Sequence, residues 1–233
     1  MAGLHLRLSF RYVVAFLLLL IVLLELHETV HIVTGRLICG CWGPRDFNVW
    51  SLCPTCSQRH PLWWLATLAG PLASFALMWL GMGWLKSTNP DRKALGFSLI
   101  FANIPFGRIS TVMMGGGDEM VVTRHLLKQD FSRTQLILIC SALVLLIVIP
   151  PVYKAWQVLT NRRAWLYLIG FLTLPLLFLL VYVLTGLNSL LTMGFLATPW
   201  IMGTPVFITL HTAIALAGLI FLRKNLLSVA ATD

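Results

Sequence analysis

Six stretches of this 233-residue chain are apolar for long enough to cross a lipid bilayer, and nothing else in the sequence constrains the fold as strongly. They lie at roughly 12–33, 62–85, 94–114, 135–153, 164–187 and 199–222. A spanning helix needs about 20 predominantly apolar residues, because each residue rises ~1.5 Å and the hydrocarbon core is ~30 Å thick. Every backbone N–H and C=O at that depth must be satisfied by the protein itself, which a helix does within one segment. Hydrophobic residues make up 58% of the chain and charged residues only 11%, whereas soluble domains carry about 25% charged residues. The sequence therefore predicts an all-α integral membrane protein, a polytopic bundle of about six transmembrane helices forming a single membrane domain over 1–233.

The formal net charge of +9 points to the bilayer as partner and not to nucleic acid, because the basic residues fall between the apolar runs, where loops meet lipid head groups. Arg7 and Arg11 precede the first run as in a secretion signal, but no small-x-small cleavage site follows, so this run reads as an uncleaved first helix. An N-terminus on the inside gathers ten Lys and Arg on the inner side and six on the outer. That excess favours N-inside orientation in a multi-pass protein of a plasma (inner) membrane. The stretch 188–198, NSLLTMGFLAT, is too short to span and reads as an interfacial segment. The third run is interrupted by Asn103, Pro105, Gly107 and Arg108. Such breaks are tolerated only where protein or a wet cavity covers the freed backbone groups, which marks this run as a site-former.

Ionisable side chains inside a membrane usually have a task. The first run ends in Glu25-Leu26-His27-Glu28-Thr29-Val30-His31, which contains HExxH. On a helix, His27 and His31 share a face and can bind one Zn²⁺, while Glu28 projects beside the ion as general base and acid. A catalytic zinc needs a third protein ligand and an open fourth position. His211 lies too deep in the sixth run, about 10 Å from the level of His27 and His31. His5, His60 and His125 lie in loops or the tail. Asp118 in MMGGGDEM is the expected third ligand, with Glu119 as its alternative. Both follow a run that ends on the same side as the first, and Gly115, Gly116 and Gly117 permit the sharp return.

Three patches together resemble the site-2 protease family of intramembrane zinc metalloproteases (peptidase M50-like): HETVH at 27–31, LAGPLASFAL at 68–77 and FANIPFGR at 101–108. The resemblance covers about the first 120 residues, so that 1–134 forms a core with a Cys-rich loop at 34–61 and 135–233 supplies additional helices. The chain departs from the pattern at position 111, which is Thr where the family's third ligand stands, and at Ser74, where Asn is common. The resemblance implies zinc-dependent cleavage of membrane-spanning or membrane-proximal protein substrates. Asn103 and Arg108 would contact the substrate, and the loop at 34–61 could pair with an extended substrate strand. Trp42, Trp50, Trp63 and Trp64 would seat that loop at the interface. Arg108 is also placed to form an ion pair with Glu25.

Cys39, Cys41, Cys53 and Cys56 share this loop and suit either a structural zinc or disulfides. Cys140, inside the fourth run, reads as an apolar packing residue. Two other functions remain compatible with the same residues: a transporter or channel for a metal ion or proton, and a non-catalytic metal-binding scaffold.

Overall fold

The computed structural model describes residues 3–227. It is all-α, with six helices or helix pairs long and apolar enough to span a membrane: Phe10–Cys39, Trp63–Trp84, Pro90–Met113, Arg133–Val158, Ala164–Thr192 and Val206–Leu227. No β-strand occurs among the described residues, only three isolated bridges. The protein is thus a polytopic helical bundle suited to a lipid bilayer.

The helix boundaries follow from local chemistry. Helix α1 (Phe10–Cys39) starts where the Ser9 hydroxyl accepts from the Tyr12 N–H, and stops at Gly40, whose φ of 73° suits a residue without Cβ. After the short α2 (Cys56–Arg59) comes α3 (Trp63–Trp84). Helix α4 (Pro90–Ala102) has Asn89 as N-cap and proline at its first position. Helix α7 (Arg133–Val158) opens with a capping box between Ser132 and Gln135.

The third span is two helices. Helix α4 ends at Ala102, and α5 (Pro105–Met113) begins after a break at Asn103 and Ile104. Pro105 lacks an N–H and Ile104 takes a left-handed φ of 50°. The Asn103 side-chain amide donates to the Leu99 carbonyl at 2.8 Å, replacing the helical bond lost there. The stretch 188–198, expected at the interface, is helical in its first half. Helix α8 (Ala164–Phe178) runs through a π-helical stretch, Leu179–Leu187, into α9 (Asn188–Thr192), so the fifth span is longer than the apolar run suggested. Helix α10 (Val206–Leu227) packs against α1 and α4.

Helices α1, α3 and α4 form the centre of the bundle. Small residues set their spacing: a Cβ on Gly81 of α3 would stand 2.7 Å from the Gly96 carbonyl of α4. One core, built on Tyr12, Phe16, Phe97, Phe101 and Phe171, fills the half of the bundle near the N-terminus. A second joins Phe75 and Met78 of α3 to Val112 of α5, to Met120 and to Cys140 of α7. Cys140 is a buried free thiol in that core. Between these cores, α1, α3 and α5 bring their polar residues together.

Candidate metal centre

His27 and His31 lie one turn apart on the inward face of α1 and are 4% and 0% exposed. Their Nε2 atoms are 3.0 Å apart. Asp118 is the first residue of α6 (Asp118–Leu127), and its Oδ2 is 3.3 Å from each Nε2. The return that delivers it uses left-handed Gly115 (φ 78°) and Gly117 (φ 85°). The Arg124 guanidinium braces that turn by donating to the Gly115 carbonyl at 2.6 Å. Ligand atoms about 2.0–2.1 Å from a tetrahedral Zn²⁺ lie about 3.3 Å from one another. The three observed edges, 3.0–3.3 Å, match that spacing, so these residues could supply three ligands to a divalent ion.

Outer contacts orient the ligands. The His31 Nδ1–H donates to the Ala66 carbonyl at 2.7 Å; a carbonyl only accepts, so the proton sits on Nδ1 and the Nε2 lone pair faces the cluster. His27 Nδ1 lies 3.0 Å from the Ser74 hydroxyl. Arg108 Nη2 approaches the same imidazole, 2.8 Å from Nδ1.

Glu28 is buried on the same turn of α1 and lines the cavity described below, and its Oε2 has no hydrogen-bond partner. A buried carboxylate oxygen without a partner is costly, and here it borders a site that could hold an ion and water. Glu119 stands outside the cluster: its Oε1 lies 3.7 Å from Arg108 Nη1 and makes no hydrogen bond. Of the two carboxylates considered from sequence, only Asp118 reaches both imidazoles.

The site opens into a cavity of about 710 Å³. Asn103 and Arg108 line it, as do Ser74 and Thr111. Leu179, Leu180 and Leu184 of the π-helical stretch also border it, so a polar centre has an apolar flank. Asn48–Leu52 of the loop after α1 complete the lining.

Several expectations about neighbours need correction. Arg108 does not pair with Glu25; Arg45 does, with Nη1 and Nη2 at 2.6 and 2.9 Å from the two carboxylate oxygens. Trp50 also reaches the metal cluster, where its ring stacks on His31 at 5.0 Å and 16°. The four loop cysteines form disulfides, Cys39–Cys56 and Cys41–Cys53, which excludes a structural zinc on those thiolates in this state. His211 accepts from or donates to the Tyr182 hydroxyl at 3.0 Å, away from the metal cluster. His125 lies edge-on to Trp63 at 4.8 Å. Sequence reading did not assign roles to Gly70 and Ala66. A Cβ on Gly70 would stand 2.2 Å from His31 Nε2, so only glycine leaves the imidazole room.

Compared with protein-family models, with curated proteins and with solved structures, the chain shows no match. Its fold and site define its class: a multi-pass helical membrane protein in which two buried histidines meet a half-buried aspartate.

Proposed function

We propose that this protein is a zinc-dependent endopeptidase acting on membrane-spanning or membrane-proximal segments of other proteins. One observation carries the reading: two imidazole nitrogens and a carboxylate oxygen 3.0–3.3 Å apart, with Glu28 one residue from His27. Two His and one carboxylate are a donor set that catalytic zinc uses. The likeness of HETVH, LAGPLASFAL and FANIPFGR to the site-2 protease family supports the same reading.

A bound Zn²⁺ would polarise a peptide carbonyl and acidify a water molecule. Glu28 would accept a proton from the attacking water and return it to the departing amine nitrogen. Ser74 and the Ala66 carbonyl keep the two imidazoles in the ligating orientation. Arg108 contributes positive charge beside the reacting carbonyl, and Asn103 lines the cavity where an unwound substrate backbone would lie. The leucines of the π-helical stretch give the rest of a substrate helix an apolar wall.

The test compares purified wild type with Glu28→Gln for zinc content and for cleavage of a membrane-spanning reporter. Both should hold about one zinc per chain. Cleavage should fall roughly 10²–10⁴-fold in the variant, the usual contribution of a general base. Zinc in both proteins with cleavage in neither would favour the non-catalytic scaffold. Zinc-free wild type would end the metal reading.

A further inference from the structure

The loop after α1 is tied to the metal centre from several sides. Disulfides Cys39–Cys56 and Cys41–Cys53, with Cα separations of 5.4 and 6.1 Å, fold residues 40–55 back against the end of α1. Within the loop, Arg45 and Trp50 form an antiparallel bridge, and the Ser51 N–H donates to the Pro44 carbonyl at 2.9 Å. From this hairpin Trp50 lies flat on His31, and Arg45 grips Glu25 two residues before His27. On the far side, Asn188 of α9 accepts from the Phe47 N–H at 3.1 Å and donates to the Asn48 side chain at 2.6 Å. The loop is thus a cap over one wall of the cavity.

The same loop reports which side it faces. Disulfides form and persist in oxidising compartments. His31 precedes Cys39 by eight residues on one helix, which is about 12 Å along its axis. The metal centre therefore lies in the half of the membrane nearer the disulfides. The charge distribution agrees independently. The opposite ends of the spans carry Arg7, Arg11, Lys86, Arg92, Lys93, Lys154, Arg162, Arg163, Arg223 and Lys224, the excess expected on the inner side. Of the six basic residues on the disulfide side, Arg45 is consumed by Glu25 and Arg36 and Arg124 donate to backbone carbonyls.

We propose that the metal centre opens on the outer, oxidising side of the membrane beneath a disulfide-stapled cap. We infer that its substrates are membrane-protein segments at that outer boundary. The substrate half rests on the peptidase reading; the sidedness and the cap do not. Each disulfide forms as two thiols give up two protons and two electrons to a disulfide-bearing oxidant of that compartment, which becomes a dithiol.

The test uses the full-length chain in its membrane, in a Cys140→Ala background, with an impermeant maleimide heavy enough to retard the gel band. In intact cells no label should attach before reduction, and all four loop thiols should react after treatment with an impermeant phosphine. Sealed inside-out vesicles should stay unlabelled under the same treatment. Labelling without reduction, or labelling confined to inside-out vesicles, overturns the sidedness. Amide hydrogen exchange across residues 44–52 of the purified protein should rise roughly tenfold or more on reduction, and unchanged exchange overturns the cap. Reporters with a cleavable stretch at the outer or the inner boundary address the substrate. Cleavage of the outer reporter alone supports the proposal, and cleavage of the inner one overturns its substrate half. Cleavage of neither, with labelling as expected, overturns the peptidase reading and with it the substrate half, while the sidedness stands.

Discussion

At the scale of single residues, the centre depends on what surrounds the ligands as much as on the ligands. His31 fits because Gly70 has no side chain, a dependence that the motif HETVH does not announce. Gly70→Ala should push the His31 ring out of line, since its Cβ would meet Nε2 at 2.2 Å. The expected outcome is zinc content well below one per chain by elemental analysis, with the helical circular dichroism signal preserved. Ser74→Ala is milder. It removes the hydroxyl 3.0 Å from His27 Nδ1 and should weaken zinc binding about 10–100-fold in a competition titration, the usual effect of losing such an orienting partner. HExxH spacing made the two histidines and Glu28 legible from sequence, because i and i+4 share a helix face whatever the rest of the fold does. Gly70 and Ser74 were visible only as part of a resemblance, because their role lies in contact with another helix.

At the scale of elements, breaks and turns place the third ligand. The third apolar run became α4 and α5 because Pro105 cannot continue the hydrogen-bond ladder, and the interruption had marked it as a site-former. The offset at Asn103 and Ile104 lets α5 carry Arg108 towards His27, and the glycine turn then brings Asp118 back. Glu25 shows the limit of reading elements singly. Arg108 and Arg45 were both available in sequence, and only the folded loop selects Arg45. Removing one member of this partly buried ion pair leaves the other charge uncompensated and destabilises the fold. Arg45→Ala should therefore lower the thermal midpoint in detergent, measured by intrinsic fluorescence. The double change Glu25→Gln with Arg45→Met should recover much of that loss, because it removes both charges together.

At the scale of the whole molecule, distant segments close the bundle. The strand-like segment before α1 runs along the α7–α8 connection: the Leu4 N–H donates to the Val158 carbonyl at 2.6 Å, and Thr160 returns a bond to Leu4 at 3.0 Å. Asn161 completes the clamp, accepting from the Leu6 N–H and donating to the Leu6 carbonyl, both at 2.9 Å. Asn161→Ala leaves two buried backbone groups without partners, each costing about 1–3 kcal/mol. A lower thermal midpoint and faster amide exchange at Leu6 are expected, with zinc content unchanged, because the clamp lies towards the opposite end of α1 from His31. The spans themselves were legible from hydropathy. The length of the fifth was not, since the helix runs past the apolar stretch to Thr192, with Asn188 bonded to the loop after α1.

By itself the amino-acid sequence determined the number of spans and the pairing of His27 with His31. Both depend on short-range physics: twenty apolar residues cross a bilayer, and four residues make just over one helical turn. Tertiary structure alone decided that Asp118 and not Glu119 meets the imidazoles, that Arg45 takes Glu25, and that Trp50 covers His31. Each of those outcomes is a distance between residues on different elements. Spacing along the chain does not fix such distances until the helices have packed and the glycine turn and disulfide loop have folded onto them.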